Sequence, residues 1–198
     1  MPRFGLIGDS SLYVKSGRHV RRVGSQLRES LGTTDLWYRA VANAGVKEIL
    51  HMLKNTSLTF ATLGISYFGN DITEGRIRPE VQAAWQELMN LVEEKAQHVV
   101  FVVGGSYWLG AETLRKYADK AKQYGITPQY DENLAQVRTW LSHRGHTVHN
   151  FQKQLGRWQL NGDGIHWDVD VAEELCATWA DLLSPPRLLA TTREVLVA

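Results

Sequence analysis

Apolar residues along the chain fall into two alternating patterns: short dense runs, and stripes spaced by three and four. Phe4, Leu6 and Ile7 make a short run that ends at Gly8-Asp9-Ser10. Val20, Val23, Leu27 and Leu31 then recur at spacings of three and four, which predicts a helix. Residues 36–42 predict a second strand, Val46, Ile49, Leu50 and Leu53 a short helix, and residues 59–65 a third strand. A long helix is predicted after Pro79, whose fixed φ suits a first turn, with Val81, Ala84, Trp85, Leu88, Leu91 and Val92 on one face. The run 98–103 is β-branched, apolar and closed by Gly104-Gly105, as expected of a parallel strand buried on both faces. Leu114, Tyr117, Ala118 and Ala121 mark another helix, and Leu134, Val137, Trp140 and Leu141 one more. A short strand is read over Thr147–Phe151, and Val171, Leu175, Trp179 and Leu182 predict a last helix.

Strands that alternate with helices predict an α/β fold, a three-layer α/β/α sandwich around a parallel sheet. A length of 198 residues suits one domain with its own core. Ser184-Pro185-Pro186 stops the last helix, so residues 1–184 are read as the domain and 185–198 as a C-terminal tail. Composition adds little: 43% hydrophobic and 22% charged residues are ordinary for a globular protein. The net charge of +1 gives no global attraction to nucleic acid or anionic membrane. The one cysteine, Cys176, excludes an intrachain disulfide and is read as an inert buried thiol. No apolar run approaches a membrane span, and a cytoplasmic protein is expected.

Candidate chemistry gathers where the strands end, which is where open parallel sheets bind ligands. The first strand ends at Gly8-Asp9-Ser10, the second at Asn43-Ala44-Gly45 and the third at Phe68-Gly69-Asn70-Asp71. Asp163-Gly164-Ile165-His166-Trp167 precedes the last helix. A serine, a glycine N–H, a side-chain amide and an Asp-x-x-His pair are the parts that acyl transfer needs. A serine hydroxyl is a weak nucleophile without an adjacent base, and His166 can take the Ser10 proton and return it to a leaving group. Asp163, three residues before His166, can reach the imidazole Nδ1–H and fix its tautomer.

These four blocks, in this order and spanning residues 5 to 167, resemble the SGNH (GDSL-like) hydrolases, named for the Ser, Gly, Asn and His of the blocks. The resemblance implies a flavodoxin-like fold with a five-stranded parallel sheet of order 2-1-3-4-5. It implies an oxyanion hole built from the N–H groups of Ser10 and Gly45 and the amide of Asn70. It implies a serine esterase that works through an acyl-Ser10 intermediate on small-molecule or carbohydrate esters, with short acyl or O-acetyl groups, and needs no cofactor or metal. The chain departs from the family pattern at Phe68, where a glycine is usual, and at Leu12, one residue late. Phe68 is expected to narrow the cleft or form a wall of the acyl pocket, with Gly69 supplying backbone freedom. Tyr107, Trp108 and Trp167 are expected to line the substrate cleft. The alternative is a catalytically silent SGNH-like module that binds a partner or ligand, its site blocked by Phe68.

Simpler roles compete for several of these residues. Ser10 in isolation would be a helix cap, His166 a core histidine and Asn70 a turn residue. Asp9 and Asp71 are read as structural, bonding the loop backbones. His143, His146 and His149 straddle a helix end at Gly145 and match no zinc spacing. Arg18, Arg21 and Arg22 are read as a solvated face of the first helix.

Overall fold

The computed structural model describes residues 3–72, 76–104, 128–150 and 166–184. Five strands form the central sheet: β1 (Phe4–Gly8), β4 (Leu36–Ala40), β5 (Phe60–Tyr67), β6 (Ala96–Val103) and β7 (Thr147–His149). Their order is β4-β1-β5-β6-β7, and every pairing is parallel. Taken in chain order this is 2-1-3-4-5, the order the resemblance implied. Strand direction reverses its march across the sheet at β1 and β5, so the crevice between their carboxyl ends is the topological switch point.

Helices cover both faces because alternate side chains of the buried strands point in opposite directions. Ile7 of β1 packs with α2 (Val46–Lys54), α3 (Pro79–Lys95) and α4 (Pro128–His143). Leu6, its neighbour, packs on the other side with α1 (Gly24–Leu31) and α5 (Ala172–Leu183). Pro79 occupies the first turn of α3, as its missing N–H allows. Strand and helix positions agree with the apolar pattern to within a few residues at the ends. The third strand runs on to Tyr67, and the strand read to Phe151 stops at His149. The helix expected around Leu114 and the tail 185–198 lie outside the described residues.

One stretch was misread. Residues 13–23 are not helical; β2 (Tyr13–Ser16) and β3 (His19–Arg22) form an antiparallel hairpin that turns at Gly17. The helix begins only at Gly24. Val20 fits the helical spacing by coincidence: it is 52% exposed, whereas Val23 and Leu27 are buried. Gly17, at φ 56, is the hairpin turn that ends the resemblance to a helix. Arg18, Arg21 and Arg22 therefore belong to the hairpin, not to a helix. A two-residue strand, β8 (Trp167–Asp168), pairs in parallel with β2 and completes a small second sheet.

Candidate active site

The chain leaves β1 at the switch point through a tight 3-10 turn, Ser10–Leu12, capped by Asp9. Asp9 Oδ1 accepts from Ser11 N at 2.8 Å. The capping role open to Ser10 thus falls to Asp9, and Ser10, 5% exposed, sits at the head of the turn. The second carboxylate oxygen of Asp9 crosses to the end of β5, accepting from Phe68 N at 2.6 Å and Asn70 Nδ2 at 3.1 Å. One fully buried carboxylate therefore ties the Ser10 turn to the Asn70 loop. Asn70 Nδ2 also donates to the Ala44 carbonyl at 2.9 Å, which brings the third segment, the end of β4, to the same place.

Burial dominates the titration of Asp9 and pushes its pKa from 3.8 up to about 6, although the donors from Ser11 and Phe68 and the charge of His166 pull the other way. A raised carboxyl pKa means the folded state holds the proton more tightly than the unfolded chain. The stability from neutral Asp9 is complete below pH 3.8 and is lost as pH rises through about 6. That gap corresponds to about 3 kcal/mol. Urea denaturation from pH 4 to 7 is expected to show wild type losing stability relative to Asp9→Asn as pH rises. A pH-independent difference between the two proteins would refute this.

Gly45 stands immediately before α2, and its backbone leaves no room for a side chain: a Cβ there would lie 2.5 Å from Asp71 Oδ2. Asp71 accepts from Val46 N at 2.8 Å and from the Tyr67 hydroxyl, so it pins the start of α2 to the β5 loop. This is the structural role read for Asp71. The Gly45 N–H donates to Glu48 Oε2 at 2.8 Å. The spacing Gly45-x-x-Glu48 is that of the second half of a capping box, in which the third helical residue reaches back to the cap. It was legible in the sequence and was missed. In this conformation, the N–H of Gly45 and the amide of Asn70 are both engaged by acceptors of the chain itself.

His166 directly precedes β8. Trp167 Nε1 donates to the Ser11 carbonyl at 3.0 Å, and β8 pairs with Val14 and Lys15 just beyond the turn. His166 is partly exposed, and its charge is felt by the Asp9 carboxylate. Ser10, Gly45, Asn70 and His166 are thus carried by four segments that hydrogen bonds link at one end of the sheet. Asp163, Tyr107 and Trp108 lie outside the described residues. Phe68 and Trp167, expected as cleft walls, are core residues at 2% and 1% exposure. Their rings meet edge to face at 5.6 Å. The Tyr130 hydroxyl holds the Phe68 carbonyl, and Gly69 follows at φ 86, the left-handed geometry that Phe68 itself does not need to adopt.

Several other titratable residues lie elsewhere. Cys176 is buried and its thiol is pushed up to about 11 by that burial, as an inert core thiol should be. His146 packs on Phe101 at 5.2 Å and stands 3.6 Å from Glu93. It lines, with His98 and His149, a cleft of about 700 Å³ at the amino ends of β6 and β7, the opposite end of the sheet from Ser10.

No family model and no curated protein matches the chain. Solved structures do. A member of the lipolytic G-D-S-L family from Veillonella parvula is 16% identical, with 94% of this chain and 99% of that chain covered at a TM-score of 0.59. A lipase/acylhydrolase from Enterococcus faecalis is 16% identical over 91% of this chain and 94% of that one, at 0.64. A GDSL-like lipase from Bacteroides thetaiotaomicron is 12% identical over 91% and 88%, at 0.55. At such identities the likeness is one of fold.

Proposed function

Because the chain has the SGNH-hydrolase fold, we propose that it is a serine esterase with Ser10 as nucleophile, His166 as base and Asp163 as the residue that orients His166. The observation that carries this reading is the Asp9 carboxylate, which binds the turn of Ser10 to the loop of Asn70 at the switch point of the sheet. The fold neighbours named as lipases and acylhydrolases support ester hydrolysis as the reaction class. Ser10 would attack the ester carbonyl while His166 takes its proton. The tetrahedral oxyanion would be met by the N–H groups of Ser10 and Gly45 and by Asn70. Collapse expels the alcohol, protonated by His166, and water then releases the acid from acyl-Ser10 by the same route. Short acyl and O-acetyl esters are the proposed substrates, with Tyr107 and Trp108 lining the cleft.

For Gly45 to serve the oxyanion, its N–H must leave Glu48. Glu48→Ala is therefore expected to move two quantities in opposite directions. Turnover of p-nitrophenyl acetate rises, because a competing acceptor is removed. Stability falls by about 1 kcal/mol, the usual loss when a cap goes. A variant that loses both would mean that the contact supports the site rather than obstructs it.

The same two engaged donors favour a second reading, a silent SGNH-like module that binds without turning over. A fluorophosphonate probe separates the two: an esterase acquires one adduct, on Ser10, and a silent module none.

A further inference from the structure

The strongest concentration of charge in the chain has no part in the chemistry proposed above. Between Ser10 and Glu29 there are five cations, Lys15, Arg18, Arg21, Arg22 and Arg28, and no acidic residue. The net charge of +1 conceals this cluster. Four of the five stand on the β2–β3 hairpin. β3 is the outer strand of the small sheet, and all four of its residues are exposed. Antiparallel pairing sets Lys15 opposite Val20 and Tyr13 opposite Arg22, so one face of the hairpin presents Lys15, Val20 and Arg22, with Arg18 at the turn. Among the described residues, Arg18 and Arg22 make no ion pair. Arg22 instead lies over the Tyr13 ring at 5.8 Å.

The apolar residues on this side are also unusual. Among the described residues the exposed large hydrophobics are Val20, at 52%, and Val41, at 40%. One hydrogen bond connects their two segments. Tyr13, which shares the face of Val20, donates its hydroxyl to the carbonyl of Ala40, the residue before Val41, at 2.7 Å. Aliphatic side chains set among cations match an interface with a charged surface and an apolar interior. A nucleic-acid surface would instead favour exposed Phe, Tyr or Trp for stacking, and Tyr13, the one such residue of the hairpin, is buried. The hairpin also grows directly out of the Ser10 turn and pairs with the strand that follows His166. A surface bound there would lie beside the strand ends.

We propose that the β2–β3 hairpin docks the protein onto an anionic lipid surface, with Val20 and Val41 entering the headgroup region and Arg18 and Arg22 meeting the lipid charges. The full chain should be sedimented with vesicles of phosphatidylcholine alone, and of phosphatidylcholine and phosphatidylglycerol in equal parts. Wild type is expected to bind the anionic vesicles only, and to be released by high salt. Arg18→Gln with Arg22→Gln should weaken binding by about fivefold for each cation removed, or about 25-fold for the pair. The pair Arg18→Lys and Arg22→Lys should restore binding, and Val20→Ser should weaken it without altering its salt dependence. Both arginines are exposed, so circular dichroism of the variants should match wild type. Equal binding to both vesicle types, no binding, or an unaffected glutamine variant would overturn the proposal. So would displacement from the vesicles by transfer RNA at equal concentration of charge, because that assigns the patch to nucleic acid. Ser10→Ala should bind vesicles as wild type does, which keeps this result independent of the esterase reading.

Discussion

Ser10→Ala is expected to lower hydrolysis of p-nitrophenyl acetate by about four orders of magnitude, leaving only the residual rate that binding and the oxyanion donors supply. His166→Ala should fall about as far, and the double variant little further, because a nucleophile without its base and a base without its nucleophile fail at the same step. The folded state should hardly notice the loss of the serine. Asp9 performs the capping of the Ser10–Leu12 turn, and Ser10 is a small side chain whose replacement leaves no large cavity. Steady-state kinetics, with thermal denaturation as the control, read both effects. Intact-mass measurement after fluorophosphonate treatment should find one adduct on wild type and none on Ser10→Ala. Wild-type rates in Ser10→Ala, or an adduct that persists in it, would move the nucleophile elsewhere and end the present reading of the site.

Trp179→Ala should destabilise the protein by about 3–5 kcal/mol, the range for deleting a large buried aromatic. Trp179 is fully buried at the centre of α5. Its ring lies where a side chain at Gly64 of β5 would have to go, 2.7 Å from that position, so helix and sheet meet here with no spare space. The consequence reaches the site. α5 follows β8 and the residues that carry His166 after a single 3-10 turn, Val169–Val171, and β8 is only two residues long. So short a strand is held in place by what packs around it. Activity of Trp179→Ala should therefore fall below the level set by its folded fraction. Trp179→Phe, which keeps most of the contact, should recover most of both. Urea denaturation and kinetics on the same preparations test this, and a stability loss below about 1 kcal/mol would show that α5 is held mainly by other contacts.

The apolar pattern carried most of the fold because it is a local signal. The run at 98–103 and the stripe after Pro79 were legible since a strand buried on both faces and an amphipathic helix each write their environment into consecutive residues. The hairpin was not legible for the opposite reason. Val20 is exposed, so its place in a three-and-four spacing reported no buried face. The turn at Gly17 was the cue that went unread. At the site, residue types and their order pointed to Ser10, Gly45, Asn70 and the Asp163–His166 pair. Phe68 and Trp167 were read as walls because large aromatics near a candidate nucleophile suit that role. Their burial against each other follows from strand ends that only the folded chain brings together.

By itself the sequence determined an α/β sandwich with a parallel sheet, the ends at which its strands present polar residues, and which of those residues have the chemistry of acyl transfer. Only the tertiary structure decided how these groups are held. Asp9, read as a local turn residue, also receives Phe68 N and Asn70 from a strand more than fifty residues away. Glu48 and Asp71 fill the donors at the start of α2. Gly8-Asp9-Ser10 remains a turn at a strand end, but Asp9 rather than Ser10 caps it. The physical reason is that a hydrogen bond between distant segments leaves no period in the sequence: a helix or strand repeats its pattern every few residues, whereas a carboxylate bridging two loops is a single event whose partners folding selects.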